Sequence, residues 1–282
     1  MKNILTEWRI FLNELKFEGA TTELTRQVIP YIKDHLDENE GKPNFEPGED
    51  IGHLPLNIYF FKEDGELPKS VSDIGVTHIW YNIKGFPSGR LLEYETFTVG
   101  GEFTPVDDDA RIIKITVGLT KDFRITDMSK LLERLKSVTI HEITHAGQSP
   151  ETWKKTGEDS EKAKKLKYSS IKALRHYFMS PGEIEAFARG IYKQARMAKR
   201  SWDPKIPFAK KVDDYIDENI ALYTHPGVLS LPRTQYTKDE VIDFFSEEFR
   251  GAIMDYAREY FPSADTSSRP EDELDYLDDF GL

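Results

Sequence analysis

The sequence predicts an α+β fold, with a small, mostly antiparallel sheet, one strong helix behind it and further helices towards the C-terminus. Two observations carry this. Between residues 55 and 119 apolar and polar side chains alternate with a period of two, the pattern of a half-buried strand. After residue 127 the apolar side chains recur every three or four positions, the pattern of an amphipathic helix. Content supports a real core. The 282 residues include 17 Phe, 13 Tyr and 4 Trp, and 38% are hydrophobic.

The elements follow in chain order. Residues 4–16 place Leu5, Trp8, Phe11, Leu12 and Leu15 on one helical face, and a second helix is expected over 22–37, bent or interrupted at Pro30. Residues 38–54 are polar and rich in Gly and Pro, which reads as a linker. The first 40 residues are therefore expected to be a helical docking element ahead of a main domain over 55–262. Four strands are expected in that domain, at 55–61, 77–84, 90–99 and 110–119, with a long connection from Gly100 to Asp109. In the last strand Ile113, Ile115, Val117 and Leu119 share one face.

A helix is expected from Asp127 to Ala146, stopped by Gly147 and Pro150. Residues 151–178 are charged and partly helical. Ser180-Pro181-Gly182-Glu183 opens another helix to about Arg200, and a Thr237-Lys238-Asp239-Glu240 capping box opens a long one to about Tyr260. The tail over 263–282 is polar, then acidic.

Charge and composition exclude several classes. Fifty acidic against 38 basic side chains give a net charge of −12, which argues against nucleic acid as a general partner. No apolar run is long enough to span a bilayer, and Glu7, Arg9 and Glu14 break up any secretory leader. A soluble cytoplasmic protein is the expectation. With no Cys, disulfides, thiolate metal sites and cysteine nucleophiles are excluded, so any metal must be held by His, Asp or Glu.

The chemistry sits in His141-Glu142-Ile143-Thr144-His145. Histidines four apart on a helix share a face one turn apart, so both imidazoles reach a single ion. Zn²⁺ favours such ligands and leaves positions for a carboxylate and a water. Glu142 is placed to take a proton from that water as general base. The third ligand is expected in the helix opened by Ser180. Glu183 falls at its third position, where a capping box would use the carboxylate on the backbone. That leaves Glu185 free beside the stripe Ile184, Phe187, Ala188 and Ile191, so Glu185 is the expected ligand.

HEITH followed about 40 residues later by a Glu-Ala helix resembles the gluzincin group of zincin metallopeptidases. PGEIEAFA is similar to the Glu-bearing helix of lethal-factor-like peptidases and of zincin-like proteins encoded by tailed bacteriophages. The resemblance covers roughly residues 55–200 and implies a zincin-like fold and hydrolysis of a peptide or protein substrate. It implies His141, His145 and Glu185 as zinc ligands and Glu142 as base. It further implies that the strand 110–119 is a sheet edge that pairs with extended substrate. Members often place a Tyr or His shortly before the ligand Glu to stabilise the oxyanion, which brings in His176 and Tyr177. Tyr177 is the candidate, although the lethal-factor-like spacing falls on Phe178.

Weaker signals remain. The lysines of 151–178 read as a solvated helix face, and Asp107-Asp108-Asp109 as a turn. His35, His53, His78 and His225 have no assigned role. The opening helix resembles those of structural proteins of tailed phages. With the acidic tail, it makes a virion or assembly protein that keeps a zincin fold without catalysis the alternative reading, with docking through both termini.

Overall fold

In the computed structural model of the chain, the described residues are 17, 19–34, 56–85, 96–106, 110–198 and 208–261. The expected helix at 4–16, the linker at 38–54, Asp107 to Asp109 and the acidic tail lie outside them. The architecture is α+β, with a four-stranded mixed sheet. The chain divides into two compact units, 19–138 and 139–261 among the described stretches, with the boundary inside one long helix.

The first unit holds the sheet. A helix α1 over residues 19–34 is followed by β1 (Leu56–Phe61), a short α2 (Lys69–Ser72), β2 (Val76–Gly85), β3 (Phe97–Pro105) and β4 (Arg111–Leu119). Helix α1 is helical throughout, Pro30 included. A single-turn 3-10 segment at Ile125–Asp127 leads into α3 (Met128–Gly147), whose first half belongs to this unit. The alternation works as the pattern demands. Ile58, Phe60, Ile79, Tyr81, Ile113, Ile115, Val117 and Leu119 are all buried, while Tyr59 and Phe61 stand exposed between them.

The strand order is β1-β2-β4-β3. β1 with β2 and β3 with β4 are antiparallel, and β2 with β4 is parallel. Two expectations are corrected here. The third strand, Phe97–Pro105, runs past its expected end at 99, because the ladder continues through Gly100 and Gly101, opposite Thr116 and Ile115, while the expected start at 90–95 lies outside the described residues. Ladder hydrogen bonds come from the backbone and need no side chain. The strand 110–119 is not an edge: β4 lies between β2 and β3, so its backbone groups are already committed and cannot pair with a substrate.

The second unit is helical. After the second half of α3 come α4 (Pro150–Lys165), α5 (Ile171–Phe178), α6 (Pro181–Ala198), α7 (Phe208–Tyr223) and the short α8 (Pro226–Leu229). The chain then runs through α9 (Lys238–Asp243), a π-helical turn at Phe244–Phe249, and α10 (Arg250–Tyr260). Both capping-box bonds expected of Thr237 and Glu240 are present at the start of α9. Phe178 is the hub of the core, with ring contacts to Phe187, Phe244, Phe245 and Phe249. Rings of this size supply most of the buried apolar area in a helical unit. Among the described residues no helix is long and apolar enough to cross a membrane.

Candidate metal centre

The site lies entirely in the helical unit, where the last two turns of α3 face the first turn of α6. His141 and His145 project from the same side of α3, and their Nε2 atoms stand 3.1 Å apart. Oε2 of Glu183 lies 3.5 Å from each of them. These three residues are the only cluster of potential metal ligands among the described residues. Four ligands at about 2.0–2.1 Å around a tetrahedral ion are separated by about 3.3–3.4 Å, so the three atoms already sit at such spacing.

The carboxylate that meets the two histidines is Glu183, where Glu185 was expected. Half of the expected capping box forms: the Ser180 hydroxyl accepts from the Glu183 amide at 3.4 Å. The reciprocal half does not, because the Glu183 carboxylate points at the imidazoles. Position explains why. Glu183 is four residues before Phe187, hence on the same helical face, and the Phe187 ring packs on His141 with centroids 4.6 Å apart. Glu185 is two positions round and turns to Arg189, which donates to its Oε1 at 3.1 Å.

Glu185 still has a place in the site, through Gln148. The amide nitrogen of Gln148 donates to the carbonyl of Gly182 at 2.8 Å and to Glu185 Oε2 at 3.2 Å. Both partners only accept, so the other end of the amide must be its oxygen. That oxygen is 3.1 Å from His145 Nδ1. His145 thus carries its proton on Nδ1 and presents Nε2 to the site, the orientation a ligating imidazole requires. A side chain at 182 would spoil this: a Cβ there would lie 2.8 Å from the Gln148 oxygen and 2.3 Å from Thr156 Oγ1. Glycine allows the close approach of α6.

Electrostatics suit the cluster to a cation. Glu183 Oε2 is fully buried and has no hydrogen-bond partner, a costly arrangement for a carboxylate oxygen. Burial alone would push the Glu183 carboxyl up, but the two facing imidazoles outweigh it and hold the pKa at about 2. Burial likewise pulls His145 down, yet Glu183, helped by Glu142 and Gln148, raises it to about 9. In the metal-free protein a proton on His145 does the job of a cation. The donor set of two imidazole nitrogens and one buried carboxylate, with no thiolate, fits zinc or another borderline divalent ion.

The remaining predicted residues have different surroundings. Glu142 is 5% exposed, with Oε1 4.0 Å from His141 Nε2. The Tyr177 ring touches Phe187 at 6.3 Å, and burial, followed by the charges of Glu183 and Glu142, raises its phenol well above the usual value. His176 is turned towards Asp159, 3.9 Å from its Oδ1, and Phe178 is in the core. Asp159 also collects Lys155 and Lys162, so that part of the lysine run neutralises a buried acid on α4. His78 lies on β2 against Phe61, and His225 caps α8. Gln148 and Gly182 were not singled out in the sequence, where an amide three residues after HEITH carries no metal signature.

Comparison with models of known protein families, with curated proteins and with solved structures finds no match to this chain. What the site can do rests on its own geometry.

Proposed function

We propose that the chain is a zinc-dependent peptidase of the zincin type, in which His141, His145 and Glu183 hold the ion and Glu142 is the general base. The observation that carries the reading is the convergence, within 3.5 Å, of two Nε2 atoms on an HExxH helix and one buried carboxylate oxygen from the helix opposite. A zinc ion held there supplies a Lewis acid and lowers the pKa of a water to about 7.

The rest belongs to the chain's own side chains. Glu142 follows His141 directly and points into the same space, where it takes a proton from the attacking water and passes it to the leaving amine. Gln148 keeps His145 in the ligating tautomer. Tyr177, its phenol held protonated by burial and by nearby carboxylates, donates a hydrogen bond to the oxygen that develops charge. Peptide as the substrate class follows from the resemblance of HEITH and PGEIEAFA to gluzincin peptidases.

Metal content and turnover of a peptide library, measured on wild type and Glu142→Gln, test the reading. Wild type should hold about one zinc per chain, and the variant should keep it while losing hydrolysis by orders of magnitude. A chain that takes up no zinc, or a variant that cuts as fast as wild type, removes the proposal. Zinc held without cleavage of any peptide would favour the assembly role instead.

A further inference from the structure

A second site lies in the helical unit, beside the metal centre and independent of it. Helix α4 ends in a Schellman turn: Lys167 N–H donates to Lys164 O at 2.8 Å and Tyr168 N–H to Ala163 O at 3.2 Å. The turn needs a left-handed residue after the cap, normally glycine. Here Lys167 takes it with φ 55°, and Tyr168 follows at φ 51°. A bulky aromatic in that region is a genuine outlier, and such strain concentrates where a binding geometry requires it. Its effect is to set Lys167 and Tyr168 into the wall of a cavity of about 380 Å³. Tyr223 and Tyr236 form further walls, together with Leu231 and Arg233 from the segment between α8 and α9. The Gln235 amide donates to Ser169 O at 2.6 Å and ties that segment to the strained turn.

The lining has a definite chemistry. Three tyrosine rings and a 57% exposed Leu231 offer an apolar, ring-sized interior and lip. The lining contains two cations, Lys167 and Arg233, and no acidic residue. In a chain of net charge −12 that is an unusual local balance. Neither cation has an ion pair with a carboxylate among the described residues. Burial keeps the Tyr223 and Tyr236 phenols protonated, hence available as donors. We propose that this pocket binds an amphipathic anion: an aromatic or branched apolar body carrying one carboxylate, held by ring contacts and by Lys167 and Arg233. The carboxylate can come from a free organic acid or from the C-terminus of a peptide. The site goes beyond the peptidase reading and stands without it, although Tyr168 meets Tyr177 ring to ring at 5.8 Å, so an occupant would touch a neighbour of the metal centre.

Calorimetric titration of the full chain with naphthalene-2-carboxylate, and with neutral naphthalene-2-methanol as control, tests the proposal. The acid should bind saturably at one site, at least tenfold tighter than the alcohol, and more weakly as salt is raised. Arg233→Gln and Lys167→Gly should each weaken the acid several-fold. Lys167→Gly should keep or raise the thermal midpoint, since glycine is at ease at that φ, which separates a lost contact from a lost fold. Acetyl-Leu-Phe with a free carboxylate, against its amide, distinguishes the sources: tight binding of the acid form alone identifies a peptide end, and binding of the naphthoate only identifies a free acid. Equal affinity for acid and alcohol, no saturation, or unchanged binding in both variants overturns it.

Discussion

Glu183→Gln is the substitution on which the site assignment turns. The amide is nearly isosteric, so the first turn of α6 keeps its shape, but a charged oxygen facing two imidazoles becomes a neutral one. Two consequences follow with magnitudes. In the metal-free protein His145 loses the partner that raises it to about 9 from its usual 6.5. A raised histidine contributes stability fully below its unfolded pKa and loses it as pH climbs through the folded value. At pH 7.5 the contribution at stake is about 2 kcal/mol. In the metal-bound protein one of three ligands is weakened. If a site of this kind binds with about 10–16 kcal/mol, roughly a third of that is close to a 10³-fold loss of affinity. Competition titration against a chromophoric chelator reads the second effect and thermal unfolding of the stripped protein reads the first. Glu185→Gln should change zinc affinity by less than about tenfold, because its carboxylate touches the centre indirectly, through Gln148. Zinc affinity unchanged by Glu183→Gln and abolished by Glu185→Gln would refute the assignment.

Three further outcomes are expected. Gln148→Leu should weaken zinc about 10–100-fold, as removal of the group that orients a ligating histidine does, and ligand-exchange titration measures it. Zinc uptake at pH 7.5 should release at least one proton, because His145 is protonated in the metal-free state up to about pH 9 while Glu183 is already ionised. Apparent affinity should accordingly rise at least about tenfold per pH unit from pH 7.5 up to that value, and calorimetry in buffers of different ionisation enthalpy would show no buffer dependence if this is wrong. Tyr177→Phe should leave zinc content intact and lower kcat by about 10²–10³ with little change in KM, whereas an unchanged kcat would make Tyr177 a packing residue.

The parts of this molecule legible in its sequence are those set by local periodicity. HEITH needed only the four-residue repeat of a helix, and the histidines meet as that repeat requires. The alternation Ile113, Ile115, Val117, Leu119 fixed a buried face, and Thr237 with Glu240 marked a helix start by chemistry confined to four residues. What escaped depended on partners far away in the chain. The parallel pairing of β2 with β4 cannot be read from either strand, and it turned an expected edge into the sheet interior. Gly100-Gly101 reads as a break, yet its backbone bonds to β4 as any strand does.

The glutamate of the cluster shows the same divide within a single helix turn. A capping-box argument weighs Glu183 against the backbone beside it, where a side chain-to-backbone bond on a helix end contributes about 1 kcal/mol. It omits the competitor that decides the outcome, two imidazoles brought by a different helix. At 3.5 Å in a buried site, attraction to a protonated imidazole or to a metal ion is several times larger than the capping bond, so the carboxylate abandons the cap. A usable signal was nonetheless present. Phe187 is the large apolar residue of that helix start, so the face it occupies is the face that meets the core, and the acid four residues before it must share that face. A glutamate placed above a core aromatic is buried whether or not it could cap, and a buried carboxylate needs a cation. The local rule described what Glu183 could do, and burial decided what it does.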